Sequence, residues 1–164
     1  MDTVTVDLFL SHRCMRIDIP LRGFTRVSDV LNNTPSNFLA GILRGVSDLP
    51  ERMLFANQSP ARDMVVRLAD VLLARPVASA PGSSSPAERR DRILQRVVLE
   101  LGDWRLTGSL HLIDSVRWTD YATAMNDRFL AVTDATVQLP YNSASLESPF
   151  LLVNGARISA LYEC

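Results

Sequence analysis

Hydrophobic and polar residues alternate in two stretches of the chain, one at its start and one just past its middle. The apolar positions of the first stretch are Val4, Val6, Leu8 and Leu10, and those of the second are Val97, Leu99 and Leu101. A period of two is typical of a strand with one face in a core. A second alternating run follows each stretch after a short connection, at residues 15–21 and 106–112, which predicts two β-hairpins.

A short helix is predicted after each hairpin. Ser28 and Thr119 are suitable N-caps, and Asp29 and Asp120 stand directly behind them at what would be the positive end of a helix. These signals predict one or two helical turns at each place.

Strands, loops and further strands follow the two helices. We expect strands over 38–48 and 129–139, polar loops over 56–62 and 141–148, and final strands over 64–74 and 150–162. Asn154-Gly155 is typical of a type I′ turn and would divide the last segment in two. Residues 64–74 lack such a signal and are predicted to form one continuous strand.

The chain matches itself when it is shifted by 91 residues. The identical positions include Val6 with Val97, Leu8 with Leu99, Arg26 with Arg117, Asp29 with Asp120, and residues 38–40 with 129–131. A second match with a shift of 87 sets Val66, Ala69 and Val71 on Val153, Ala156 and Ile158. The sequence therefore predicts two copies of a unit of roughly 70 residues, the size of a minimal domain.

A stretch rich in Pro, Gly and Ser separates the two copies and predicts a flexible linker at residues 78–85. The first β-rich repeat is then 1–77 and the second is 86–164. Ser85-Pro86-Ala87-Glu88 forms a capping box, which predicts a short leading helix over 86–95. The expected fold class is mainly β with short helices, as two tandem small antiparallel β-barrel or sheet domains with pseudo-two-fold symmetry.

Charge and composition restrict the classes of partner. The formal net charge is −1, and all 17 basic residues are arginine, a bias typical of GC-rich bacterial genomes. No strong field would recruit nucleic acid or an anionic membrane, and no lysine is present for nucleophilic catalysis. Without a signal-peptide pattern or a long apolar run, we expect a reduced, cytoplasmic protein with no membrane partner. A bridge between Cys14 and Cys164 stays open.

We find no catalytic or metal-binding pattern in the sequence. His12 and Cys14 share a strand face and could act as base and thiol nucleophile, but the second copy has Asp103 and Arg105 there. His111 has no partner at metal-ligand spacing, and no phosphate-binding loop motif is present. We therefore expect no enzyme activity, no cofactor and no metal.

The matched arginines and aspartates are the first candidate binding residues. Arg26 with Asp29, and Arg117 with Asp120, could form a polar pocket or an interface ion pair, or the aspartate could cap the helix while the arginine packs beside it. Trp118 and Tyr121 occur only in the second copy, as an exposed binding patch or as core filling.

The second copy resembles a small uncharacterised bacterial domain family that reads roughly R-x-[ST]-D-x-x-N, then F-L-x-x-T-D-A, then P-F-L-x-V-N. The residues that carry the resemblance are Arg117, Thr119-Asp120, Asn126, residues 129–135 and residues 149–154. No activity is established for that family, so the resemblance implies a bacterial, non-enzymatic domain.

The second copy is also distantly similar to the Sm-like barrels. Residues 120–126 stand where that family has its Asp…Met-Asn loop, and residues 153–158 echo its Arg-Gly-x-x-Ile end, with Asn154 in place of the usual Arg. Sm-like proteins form rings and bind single-stranded RNA through these two loops. The similarity therefore implies Asn126 and Asn154 as further candidate binding residues.

We expect a non-catalytic protein-interaction or oligomerisation module in a bacterial cytoplasm, since the edges of small sheets are natural docking templates. Its partner would be another protein or a second copy of itself. The alternative is an Sm-like protein that binds single-stranded RNA, which the net charge disfavours. A third possibility is a small-molecule sensor that uses the Arg/Asp pockets.

Overall fold

The structure is a computed structural model, and it describes residues 2–48, 58–77, 92–114, 116–140 and 145–164. We call residues 2–77 the N-terminal half and residues 92–164 the C-terminal half. The elements of the N-terminal half are β1 (Thr3–Phe9), β2 (Arg13–Pro20), α1 (Val27–Asn33), β3 (Phe38–Asp48), β4 (Gln58–Arg67), a 3-10 turn (Leu68–Asp70) and β5 (Leu73–Pro76).

The C-terminal half has the same elements in the same order. They are β6 (Arg92–Leu101), β7 (Trp104–Ile113), α2 (Trp118–Ala124), β8 (Phe129–Gln138), β9 (Ser145–Asn154), a 3-10 turn (Gly155–Arg157) and β10 (Ala160–Glu163). Equivalent helices begin at Val27 and Trp118, 91 residues apart, and equivalent 3-10 turns begin at Leu68 and Gly155, 87 residues apart. These are the two shifts at which the sequence matches itself.

The ten strands of the described residues belong to one open antiparallel sheet, in the order β10-β6-β7-β8-β9-β5-β1-β2-β3-β4. The predicted fold class is confirmed in that the protein is mainly β with short helices. The two halves do not form separate sheets, because β5 of the N-terminal half pairs with β9 of the C-terminal half. We call this pairing the junction. The junction leaves β4 and β10 as the two outermost strands.

Each half completes the hydrophobic core of the other. Four residues of the N-terminal half, Phe9, Cys14, Leu72 and Leu73, lie in the core built mainly by the C-terminal half. In return, Phe129 and Leu152 lie in the core of the N-terminal half. Full burial of one such side chain contributes about 1.5–3 kcal/mol, so neither core is complete without the junction.

The predicted helix caps were wrong. The N-cap residues are Arg26 and Arg117, and neither makes a side-chain capping hydrogen bond. Ser28 and Thr119 lie inside the first helical turn. Burial explains the earlier start of α1, because Val27 is buried in the core as the first helical residue. Tertiary packing therefore overrides the cap preference.

The prediction of one continuous strand over 64–74 was also wrong. The 3-10 turn Leu68–Asp70 interrupts it, and the break allows β4 to pair with β3 while β5 pairs with β1. Residues 150–162 are divided at Asn154-Gly155 as predicted, but by a 3-10 turn rather than a hairpin. The φ angle of Asn154 is −68°, so it cannot belong to a type I′ turn. Accordingly β9 pairs with β8 and β5, whereas β10 pairs with β6.

Two strands begin earlier than predicted, because β4 starts at Gln58 and β9 at Ser145, inside the predicted loops. The predicted linker at 78–85 and residues 86–91 of the predicted leading helix lie outside the described residues. Residues 92–95 of that helix are part of β6 instead, since Ile93 and Leu94 pair with Leu112 and His111 of β7.

Candidate functional site

The matched arginines and aspartates lie at the starts of the two short helices. Arg26 and Arg117 are exposed N-cap residues, and Asp29 and Asp120 lie in the first turns. A carboxylate in the first turn is stabilised by the positive end of the helix dipole. This position gives both aspartates a local structural role.

The predicted aromatic patch packs against the protein interior. Trp118, Tyr121 and Met125 are half-buried against the core of the C-terminal half. Burial, followed by the charge of Asp127, raises the pKa of the Tyr121 hydroxyl. Asn126 is exposed just beyond the helix. The two aromatic side chains thus fill the margin of the core.

Asn154 is buried at the junction. Its Nδ2 donates to the carbonyls of Leu68 at 3.0 Å and Val71 at 2.8 Å, and its Oδ1 accepts from the amide of Ala156 at 3.1 Å. Its backbone amide donates to the carbonyl of Leu72 at 3.0 Å. Because both protons of its amide group are donated to carbonyls of the N-terminal half, this side chain stabilises the contact between the two halves.

The junction itself is short. Leu73 pairs with Val153 and Ala74 with Leu152, and all four residues are fully buried. Beyond Ala74 the strand β5 continues into Arg75 and Pro76, and proline has no N–H to extend the ladder. The paired part of the junction therefore ends after two residue pairs.

An ion cluster that the sequence did not reveal lies beside this end of the junction. Asp7 is fully buried, and its carboxylate accepts from Arg16 Nε at 2.8 Å, Arg16 Nη2 at 3.1 Å and Arg75 Nη2 at 2.7 Å. Asp7 pairs with Arg16 on β2 and with Arg75 on β5, so the three side chains share one face of adjacent strands. The bond to Asp7 raises the pKa of Arg16. We call these three residues the Asp7 cluster.

Sequence pattern gave no signal for the Asp7 cluster. Alternation along β1 places Asp7 on the polar face of the strand, but the structure shows that Asp7 is fully buried, with Arg16 and Arg75 beside it on the two neighbouring strands. The guanidinium carbon of Arg75 also lies 5.7 Å from the centre of the Phe9 ring, a cation–π contact that orients it.

A cavity of about 330 Å³ opens next to the Asp7 cluster. The N-terminal half contributes the cluster together with Pro76 and Val77, and the C-terminal half contributes the segment 147–150. The cavity thus lies between the two halves, where β5 and β9 no longer pair. We call it the junction cavity.

The outermost strand β10 keeps on β6 the backbone arrangement that β5 has on β1. The amide of Leu72 donates to the carbonyl of Phe9 at 2.8 Å, and the equivalent amide of Ser159 donates to Glu100 at 2.8 Å. Val77 with Thr5 and Cys164 with Arg96 form another equivalent pair, at 3.0 and 3.3 Å. The strand β10 therefore lies on β6 as β5 lies on β1.

Burial shifts the pKa values of Cys14 and His111 in opposite directions. Burial, reinforced by the charge of Asp7, raises the pKa of the Cys14 thiol to about 12. Burial also lowers the pKa of His111, whose Nε2 lies 2.9 Å from Thr133 Oγ1. Cys14 is buried, Cys164 is exposed, and both are free thiols.

In the part of the chain that the structure describes, no group of three or more His, Cys, Asp or Glu residues could hold a metal ion. Neither short helix there is long and apolar enough to cross a membrane. Compared with family models, curated proteins and solved structures, the chain has no match.

Proposed function

We propose that the protein is a non-catalytic self-association module in which the outer strand β4 of one copy pairs with the outer strand β10 of another. The observation that carries the proposal is the junction, where β5 and β9 already pair in this way inside one chain. In the repeated element order, β4 is the equivalent of β9 and β10 is the equivalent of β5.

The junction also gives the register of the proposed pairing. Shifted by 87 residues, the pair Leu73–Val153 becomes Ala160 with Val66 of another copy. The pair Ala74–Leu152 becomes Leu161 with Val65. Antiparallel addition of a strand to a free edge is an established way for proteins to bind one another.

Three of the four residues of the proposed contact are more exposed than their equivalents at the junction, and the fourth, Val66, is already buried. Leu152 is fully buried, whereas its equivalent Val65 is 63% exposed to solvent. Similarly Ala74 is fully buried, whereas Leu161 is only half-buried. An exposed apolar residue on an unpaired edge strand is a template for pairing.

The two edges are different surfaces, so copies would associate head to tail. Such heterologous contacts form closed rings when the rotation between copies closes, and open fibres otherwise. The repeated order of elements in the two halves fits this assembly, because β4 and β10 correspond to the two strands that already pair at the junction.

Light scattering on a size-exclusion column tests the proposal through two edge variants. We expect wild-type protein to have a mass well above 18.2 kDa that rises with concentration. Val65→Lys and Leu161→Lys should each associate at least ten-fold more weakly, because a lysine on an edge strand blocks pairing. Ile113→Lys is the matched control, since Ile113 is 66% exposed but lies on the inner strand β7.

Mixing the two edge variants tests the head-to-tail arrangement. Val65→Lys keeps a functional β10 and Leu161→Lys keeps a functional β4, so the mixture should form a dimer although neither variant does so alone. A monomeric wild type at all concentrations, or edge variants that assemble as the wild type does, would overturn the proposal.

The alternative of single-stranded RNA binding is tested with the same protein in a gel shift with oligouridine. The net charge of −1 and the use of Asn154 within the junction count against it. A shift that is lost steeply with added salt would favour RNA binding over self-association.

A further inference from the structure

The fold does not require the charges of the Asp7 cluster. At the equivalent positions, the C-terminal half has Val98 paired with Thr107 on β7 and with Tyr162 on β10. The same strand arrangement is therefore built there without charges at these three positions, although the neighbouring Glu100 and Arg105 form an ion pair that Tyr162 contacts. A buried ion cluster usually adds little net stability over apolar residues of similar size. The charges in the N-terminal half therefore require another explanation.

The junction cavity supplies that explanation. Two guanidinium groups share the single carboxylate of Asp7, so the cluster carries a formal charge of +1. The side chain of Asp7 is fully buried, whereas those of Arg16 and Arg75 are 31% and 22% exposed. A molecule in the cavity would therefore meet guanidinium groups, which bind oxyanions through charge-assisted hydrogen bonds.

The remaining walls are largely apolar. They include Pro76 and Val77 from the N-terminal half and Pro149 and Phe150 from the C-terminal half. The volume of about 330 Å³ is at the small end of the range for small-molecule sites. It suits an organic molecule with one ring or a short branched chain. Glu147 of the C-terminal half also lines the cavity and balances the charge of the Asp7 cluster, so the lining disfavours ligands with more than one negative charge.

We propose that the junction cavity is a binding site for a small organic monoanion, a carboxylate with an apolar body, whose carboxylate is held by Arg75. This site differs from the sheet edges and does not depend on the proposed self-association.

Titration with benzoate, followed by ¹H–¹⁵N correlation spectra, tests the proposal. Titrations use the Val65→Lys background, so that any self-association cannot affect the result. We expect saturable shifts of the amides of Val77 and Ser148 and of Arg75 Nε–H. Benzyl alcohol, which lacks the charge, should bind at least ten-fold more weakly, and benzylamine should cause no shifts at these positions. Phenyl phosphate distinguishes a preference for carboxylate from a general affinity for oxyanions.

Two variants test the role of the cluster. Arg75→Gln leaves Asp7 bonded to Arg16, so it should fold normally and weaken benzoate binding at least ten-fold. A triple variant carries the residues found at the equivalent positions of the C-terminal half: Asp7→Val, Arg16→Thr and Arg75→Tyr. It should melt at or above the wild-type temperature and should no longer bind benzoate. Arg105→Gln is the control, since Arg105 is an exposed arginine paired with Glu100 away from the cavity.

Three results would overturn the proposal. The first is the absence of saturable shifts with benzoate at millimolar concentrations, whatever phenyl phosphate does. Equal binding of benzyl alcohol and benzoate is the second, because the arginines would then play no part. The third is a triple variant that fails to fold together with an Arg75→Gln variant that binds benzoate normally, which would make the cluster purely structural.

Discussion

Asn154 and Arg67 occupy the same place in the two halves, at the last residue of β9 and of β4, but only Asn154 is buried. The difference follows from the sheet order, because β9 has β5 beside it whereas β4 is an outermost strand. The environment of this position thus depends on whether the neighbouring edge is occupied.

Replacement of Asn154 by alanine should destabilise the protein by about 2–3 kcal/mol. The variant removes the Asn154 donor from the buried carbonyls of Leu68 and Val71, and the Leu68 carbonyl keeps only the backbone amide of Val71. Chemical denaturation measures the change in the free energy of unfolding. Asn126→Ala is the control because Asn126 is exposed, and it should change that free energy by no more than about 0.5 kcal/mol. Equal effects of the two substitutions would contradict the role of Asn154 at the junction.

Replacement of Asp29 or Asp120 by alanine should cost about 0.3–1 kcal/mol, less than the loss of an N-cap side chain. Both residues lie in the first helical turn, where the interaction is with the helix dipole. Asparagine should therefore be nearly as unfavourable as alanine, and added salt should reduce the effect. Thermal melts at two salt concentrations measure this. A loss above about 1.5 kcal/mol that asparagine restores would show a true capping bond instead.

Raising the pH should destabilise the wild type more than the Cys14→Ala variant. The pKa of the Cys14 thiol rises from 9.0 to about 12 on folding. Between these values the folded state holds a proton that the unfolded state has lost, so the free energy of unfolding falls as the pH rises from 9 to 12. The slope for this group is about 1.4 kcal/mol per pH unit. Below pH 9 the two proteins should differ by a constant amount. Unfolding curves that stay parallel up to pH 11 would contradict the burial of the thiol.

A methyl group at Gly108 should destabilise the fold by about 1–3 kcal/mol. A Cβ at this position in β7 would overlap Cγ1 of the fully buried Val132. Gly155→Ala is the matched control, because the nearest atom to its Cβ would be the carbonyl oxygen of Asp127 at 3.5 Å, an ordinary contact. Melting temperatures compare the two variants, and equal values would show that β7 and β8 adjust around the added methyl.

Local patterns predicted the hairpins, the strands β3 and β8 and the positions of both helices. They failed where distant contacts decide the structure. The turn at Leu68–Asp70 has no turn-forming dipeptide, and it is fixed by the burial of Leu68 and the pairing of β5. Asp7 similarly looks like a solvent-facing residue until β5 brings Arg75 beside it. A single sequence contains no record of which edges meet, so the junction and its cavity could not be predicted.

The brevity of the junction has a consequence for how copies would assemble. Its two residue pairs form within one chain, where the two halves are covalently connected, so their formation does not depend on the protein concentration. The equivalent contact between copies has no such tether and must form at the concentration of the protein itself. If the outer strands pair as proposed, the junction is formed in every folded copy, whereas the fraction of copies that are associated increases with the concentration of the protein. The oligomeric state of such a protein would report its own concentration in the cell.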